Sequence, residues 1–169
     1  MGLIVRIIYI IFYLDKYGIC LVSTTTFVLI FYWIIILRYN FLPMKILTTL
    51  LYSMFITSYT VVFLKSPGIA GREYYKDTFK FENEEDKIYY QKCSKCNIII
   101  PKSFKVVHCK KCGICVIKQD HHCPWTGKCI GKNNLRPFVL FGCSLFGYIV
   151  SLLASFITCI VYVTSEKKK

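Results

Sequence analysis

Seven of the ten cysteines and all three histidines of this 169-residue chain fall between Cys93 and Cys129. Such a cluster can bind a metal, form disulfides or supply a nucleophile and its base, and spacing helps to separate these uses. Cys93-x2-Cys96, Cys109-x2-Cys112 and Cys112-x2-Cys115 have the gap of a zinc knuckle. In that turn both thiolates reach one ion while backbone amides face the sulfurs. His108, His121, His122, Cys123 and Cys129 complete a pool of ten candidate ligands. A structural zinc takes four ligands and leaves no open position. Two ions therefore leave one cysteine and one histidine over, and spacing alone does not say which. One stretch stands out. Asp120-His121-His122-Cys123 places a carboxylate, an imidazole and a thiol within four residues, which is an orienter, a base and a nucleophile. Cys123 is also out of step with the two-residue gaps of the other knuckles.

The rest of the chain must hold this cluster in place. Hydrophobic residues make up 55% and charged residues 18%, with a mean hydropathy of +0.48. A soluble domain usually has about 45–50% apolar and about 25% charged residues. The apolar excess lies in two blocks, residues 1–64 and 138–163, around a polar, lysine-rich middle. That pattern excludes disorder and a collagen-like chain and argues against a single soluble domain. Uncharged runs at residues 19–37, 46–64 and 138–163 are each long enough, at about 1.5 Å per residue, to cross a hydrocarbon core of about 30 Å. Residues 38–45, which include Pro43, read as a short loop joining the first two as an antiparallel pair. The apolar run at residues 3–14 contains Arg6 and is too short to span, so residues 1–18 read as an interfacial segment.

The net charge is +13. A nucleic-acid partner is not expected, because the charge sits on a segment between apolar blocks. Residues 65–136 hold 15 basic and 7 acidic residues, a pattern that topology and anionic headgroups explain more simply. The positive-inside rule places the middle segment in the cytoplasm. Thiols are kept reduced there, which favours metal over disulfides. Cys20, Cys143 and Cys159 lie in apolar runs and read as small hydrophobes.

These residues resemble the DHHC-type zinc-finger protein S-acyltransferases, the integral membrane palmitoyltransferases. The family pattern C-x2-C-x9-H-C-x2-C-x2-C-x4-D-H-H-C-x5-C-x4-N-x3-F meets Cys93, Cys96, His108, Cys109, Cys112, Cys115, Asp120 to Cys123, Cys129, Asn134 and Phe138. Pro124-Trp125 and Cys129-Ile130-Gly131 also match. There are departures. Eleven residues separate Cys96 from His108, Ser66-Pro67-Gly68 stands for Asp-Pro-Gly, and Lys128 stands where the family usually has Asn. Members usually have four spans and a Thr-Thr-x-Glu stretch after the last. Thr164-Ser165-Glu166 is not that stretch, so a truncated or short member with a basic tail at residues 164–169 is expected.

The resemblance implies an α-helical integral membrane protein. Three transmembrane helices would carry a cytoplasmic, zinc-stabilised cysteine-rich domain at residues 65–137, built of small irregular and β-hairpin structure. It implies two structural zinc ions, one on Cys93, Cys96, His108 and Cys115, the other on Cys109, Cys112, His122 and Cys129. Cys123 would then be the nucleophile, with His121 as base and Asp120 orienting it. The reaction implied is transfer of a long-chain acyl group from acyl-CoA, such as palmitoyl-CoA, to cysteines of substrate proteins. The expected partners are membrane-proximal cysteine proteins, the lipid bilayer and acyl-CoA, at the ER, Golgi or plasma membrane. Lys128, Lys132 and Arg136 are candidates for the CoA phosphates, with headgroup contact the plainer reading. Trp125 borders the thioester or anchors at the interface. The alternative function is a membrane-anchored zinc scaffold or an inactive DHHC-like fragment.

Overall fold

The computed structural model describes residues 16–36, 42–70 and 90–167. The expected interfacial segment before residue 16 lies outside the described residues, as do most of the residues joining the first two helices and those at 71–89. Three helices carry the apolar sequence. These are α1 (Lys16–Ile36), α2 (Leu42–Leu64) and α3 (Leu135–Glu166). Between α2 and α3 lie six short strands, β1 (Tyr90–Cys93), β2 (Ile98–Pro101), β3 (Val106–Cys109), β4 (Ile114–Ile117), β5 (His121–Cys123) and β6 (Lys128–Ile130).

Two of the helices, α2 and α3, are long and apolar enough to cross a bilayer, and α1 contributes a shorter apolar stretch over Gly18–Ile34. The start of α2 corrects the expected loop at residues 38–45. The helix begins at Leu42 and takes Pro43 and Lys45 into its first turn. Proline fits there because the first helical N–H groups have no intrahelical acceptor, and its fixed φ suits the helix. Lys45 is only 3% exposed, and its ammonium lies 6.0 Å from the Trp33 ring centroid.

The packing between helices combines hydroxyl pairs with an aromatic cluster, and their outer surface is apolar. Tyr32 Oη shares hydrogen bonds with Thr48 Oγ1 at 3.3 Å and Ser155 Oγ at 3.2 Å. Ser58 meets Ser144 at 3.3 Å, and Tyr148 Oη donates to the Thr25 carbonyl at 3.1 Å. Phe27, Ile34, Phe146, Phe156 and Ile157 point outward and are exposed. A protein in water would bury those side chains. In lipid the outer face gains nothing by hiding, so small and hydroxyl-bearing residues take the interface and satisfy each other there. The pairs run antiparallel between α2 and α3, where Phe55 packs on Phe141 and Tyr148 at centroid distances of 5.7 and 6.5 Å.

Among the described residues the six strands form three separate antiparallel hairpins, β1–β2, β3–β4 and β5–β6. The turns close with residues at positive φ, Asn97, Gly113 and Gly127, a backbone region that Gly and Asn tolerate best. The segment after α2 lies along the second hairpin. Ala70 N donates to Cys115 O at 2.9 Å and Ile117 N to Gly68 O at 2.8 Å. The same junction meets β6 at Gly131. A Cβ there would lie 2.7 Å from the Pro67 carbonyl oxygen and 2.8 Å from Val116 Cγ1. Gly131→Ala is therefore expected to destabilise by about 1–3 kcal/mol through overpacking against backbone. A thermal melt of the purified chain checks this, and an unchanged midpoint would refute it.

Candidate active site

The hairpins share one design. Each strand pair is joined by a four-residue turn, and cysteine stands at the last position of β1, β3 and β5 as Cys93, Cys109 and Cys123. One residue earlier a cross-strand pair forms, and here the three differ. The pairs are Lys92 with Ile99, His108 with Cys115, and His122 with Cys129. Three residues after the first cysteine stand Cys96, Cys112 and Thr126. The second and third hairpins thus read His-Cys-x2-Cys-x2-Cys and His-Cys-x2-Thr-x2-Cys.

Two groups of ligand atoms result, each gathered within 4.8 Å, and each could hold a metal ion. One is Cys93, Cys96, His108 and Cys115, and the other is Cys109, Cys112, His122 and Cys129. These are the two sets that the family resemblance implies. Each combines the turn of one hairpin with the cross-strand pair of the next. Cys112 and Cys115, which had knuckle spacing, belong to different groups. In the first group His108 Nδ1 lies 3.6, 3.2 and 3.7 Å from the sulfurs of Cys93, Cys96 and Cys115. In the second, His122 Nδ1 lies 3.7, 3.2 and 3.9 Å from those of Cys109, Cys112 and Cys129.

The thiols are electrostatically uneven. Burial opposes ionisation of Cys93 and Cys109, but the amides of Cys96 and Cys112 and neighbouring thiols outweigh it and bring both below the ordinary thiol value. Burial, then the neighbouring sulfurs, pushes Cys115 and Cys129 up. Burial also raises Cys112. Several thiolates cannot share such a site without a cation.

Strand β5 has two faces because successive side chains point to opposite sides. His122 and its partner Cys129 face the second ligand group. His121 and Cys123 therefore share the other face. Cys123 is 2% exposed in a cluster with Phe55, Tyr59, Val62, Ile130 and Phe141, against which Phe138 also packs. His121 Nδ1 lies 2.8 Å from Asp120 Oδ2, and the His121 ring meets Phe138 edge-on at 5.0 Å. The Asp120 contact holds the proton on Nδ1 and leaves Nε2 as the basic nitrogen. The pair remains open to solvent, with His121 38% and Asp120 58% exposed.

The sequence did not disclose what seats this hairpin. Tyr59 Oη donates to the Trp125 carbonyl at 3.2 Å. Gly18 is so close to Tyr59 Oη and that carbonyl that a Cβ would meet them at 2.4 and 2.6 Å. The Lys128 ammonium donates to the carbonyls of Phe63 at 2.6 Å and Lys65 at 2.9 Å, at the carbonyl end of α2. Burial pulls its pKa below the ordinary lysine value, opposed by the thiols of Cys112 and Cys129. Lys128 is thus engaged with α2, unlike the exposed Lys132 and Arg136, and does not suit the phosphate contact considered for it. Trp125 is 51% exposed.

Two helices of membrane length, cysteine-histidine hairpins, and an Asp-His pair beside a separate buried cysteine define a membrane-associated cysteine-rich class of protein. Residues 86–169 match the family model described as DHHC palmitoyltransferase. The chain is 38% identical over 112 residues to palmitoyltransferase pfa3 of Aspergillus fumigatus, covering 59% of this chain and 20% of that protein. It is 41% identical over 93 residues to human palmitoyltransferase ZDHHC9, covering 54% and 23%. It is 39% identical over 69 residues to palmitoyltransferase ZDHHC15 of Xenopus laevis, covering 34% and 20%. The chain belongs to the DHHC palmitoyltransferase family, and it spans about a fifth of the length of these curated relatives.

One buried residue ties the β5–β6 hairpin to α3. Asn134 is 0% exposed. Its Oδ1 accepts from Gly131 N at 2.8 Å and its Nδ2 donates to Cys129 O at 3.0 Å. Asn134→Ala leaves a buried donor and a buried acceptor unpaired, at about 1–3 kcal/mol each. Its expected effect is a clearly lowered melting midpoint, while Asn133→Ala, at an exposed neighbour, should change it little. Equal midpoints for the two variants would contradict this role.

Proposed function

We propose that the protein is a protein-cysteine S-acyltransferase acting through an acyl-thioester on Cys123. The observation that carries this reading is the division of β5, with His122 among four ligand atoms and His121 and Cys123 on the opposite face. Each ligand group is assigned one structural zinc. The donor set of three thiols and one imidazole is that of a closed zinc site. Tetrahedral bonds of about 2.3 Å to sulfur and about 2.0–2.1 Å to nitrogen put ligand atoms about 3.6–3.8 Å apart, and the observed sulfur–nitrogen distances run from 3.2 to 3.9 Å. The zinc supplies cross-links; no reaction step passes through it.

In the first half-reaction His121 Nε2 takes the proton from Cys123 Sγ, and the thiolate attacks the carbonyl carbon of the acyl-CoA thioester. The carbon–sulfur bond to CoA then breaks, and the CoA thiolate recovers the proton from His121. In the second half-reaction His121 deprotonates a cysteine of the substrate protein. That thiolate attacks the acyl carbonyl, the bond to Cys123 breaks, and the proton returns to Cys123. Asp120 orients His121 and stabilises its cationic form. The acyl chain lies against the apolar side chains around Cys123, and substrates carry cysteines near the membrane surface.

The test compares four purified variants with the unmutated chain for zinc content and for hydroxylamine-sensitive acyl uptake from palmitoyl-CoA. Cys123→Ser is expected to keep two zinc ions and lose uptake. His121→Ala should keep zinc and slow uptake by roughly 10²–10⁴-fold, the usual worth of a general base. Cys109→Ala and His122→Ala should lose metal. Loss of zinc from Cys123→Ser would make Cys123 a ligand and favour a scaffold. No uptake by the unmutated chain would sink the enzymatic reading.

The orientation that fits this chemistry puts the hairpins in the cytoplasm and α1, α2 and α3 across the bilayer. Eight basic residues, Lys65, Arg72, Lys76, Lys80, Lys118, Lys128, Lys132 and Arg136, flank the middle segment, against Arg38 and Lys45 on the other side. Protease added outside sealed microsomes should cleave within residues 65–136 and spare residues 38–45. The opposite pattern would invert the topology.

A further inference from the structure

Cys123 and Lys128 stand directly opposite each other in the β5–β6 register, on the hairpin face turned toward the helices. They differ in what they reach. Cys123 ends among aromatic and aliphatic side chains. Lys128 ends on the carbonyls of Phe63 and Lys65, with its ammonium 5.8 Å from the Phe63 ring centroid. The last carbonyls of a helix lack intrahelical donors and carry its negative end, so a cation there is favourable and directional. Backbone N–H groups can satisfy only part of that end.

We propose that Lys128 is a positioning residue for Cys123: by bridging β6 to the carbonyl end of α2, it sets the depth and direction of the thiol across the hairpin. This deepens the acyltransferase reading and rests on it for its kinetic consequence. The logic is geometric. Three contacts seat the hairpin. Tyr59 holds the turn through the Trp125 carbonyl, Asn134 holds the end of β6 through the Cys129 carbonyl, and Lys128 holds the residue facing the nucleophile. The first two bind the hairpin backbone away from Cys123. Lys128 is the one whose own Cα is paired with that of Cys123. An uncharged side chain of similar length would keep the packing stem and lose the anchor. A shift of about 1 Å in a reacting atom can cost on the order of 100-fold in rate.

The experiment uses the full chain in detergent with zinc bound, comparing Lys128→Met, Lys128→Gln and Lys128→Arg. Two quantities are read beside zinc content: the rate of acyl-Cys123 formation from palmitoyl-CoA, split into kcat and KM, and the rate of Cys123 alkylation by N-ethylmaleimide, followed by mass spectrometry of the Cys123 peptide. Lys128→Met is expected to keep two zinc ions, lower kcat by roughly 10–100-fold at little-changed KM, and accelerate alkylation of the otherwise buried thiol. Lys128→Arg should recover most of both, with Lys128→Gln between. A Met variant with unmutated kcat and alkylation overturns the proposal, and so does one whose only defect is lost zinc. If Lys128→Met does not fold, the other two decide, and Gln equal to or better than Arg overturns it. The alkylation arm needs no catalysis. A chain that shows no acyl uptake while Lys128→Met still unmasks Cys123 therefore refutes the acyltransferase reading and supports the positioning role.

Discussion

The cysteine-rich region depends on one arrangement: each ligand group is shared between two successive hairpins. The hairpins have no common sheet among the described residues, and the apolar clusters between them are small. One gathers Ala70, Ile98, Ile100, Val106 and Cys115, and the other Cys109, Val116 and Cys129. Several members are themselves ligand candidates. So little burial cannot offset the entropy of ordering such a stretch. Metal binding at the two groups would then supply folding free energy, as it does in small metal-stapled modules.

Sharing also explains the leftover cysteine. A row of three hairpins joined pairwise has two junctions. Each junction takes the turn cysteines of one hairpin and the cross-strand pair of the next. The first hairpin has none before it, and Lys92 and Ile99 occupy its cross-strand positions. The last has none after it, and Thr126 stands at its second turn position, buried, with Oγ1 donating to the Cys123 carbonyl at 3.5 Å. Cys123 keeps the place of a turn ligand and has lost its companion. The surplus thiol is thus a consequence of where the row ends.

The sequence made much of this legible. Spacing alone marked a metal cluster, and counting ten ligands against two four-ligand sites predicted one free cysteine and one free histidine. The repeat His108-Cys109-x2-Cys112-x2-Cys115 against His122-Cys123-x2-Thr126-x2-Cys129 was equally present. It was obscured by the threonine, because a search for cysteine pairs skips a position where the pair is broken. Other features were not encoded locally. The acceptors of Lys128 are main-chain carbonyls far back in the sequence, and any residue type supplies such an acceptor. A lysine near a membrane reads as a topology signal until the end of α2 is seen beside it. The same holds for Tyr59 and Gly18, whose partner is the Trp125 carbonyl. The start of α2 is hidden for a different reason: a proline such as Pro43 reads as a loop residue, although the first helical turn accepts it.

The helices and the hairpins solve opposite solvation problems, and Cys123 sits where the solutions meet. In the helices hydroxyl groups turn inward to pair, as at Tyr32, Thr48 and Ser155, and hydrocarbon turns outward. In the hairpins the sulfurs and imidazoles of the ligand groups turn inward and the lysines other than Lys128 turn outward. Strand β5 is the seam. Its His122 side belongs to the stapled module, while Cys123 belongs to the aromatic cluster of α2 and α3. His121 bridges the regimes, with its ring against Phe138 and one nitrogen on the exposed Asp120 carboxylate. An acyl thioester has the same duality, a hydrocarbon chain on one side of the reacting carbonyl and a polar, charged carrier on the other. In the proposed reaction, a thiol buried among apolar side chains, beside an imidazole that keeps contact with water, would match such a substrate along its length. Placed deeper, His121 would have a partner carboxylate whose charged form desolvation disfavours. Placed further out, the thiol would lose the apolar surface against which the proposed acyl chain would lie.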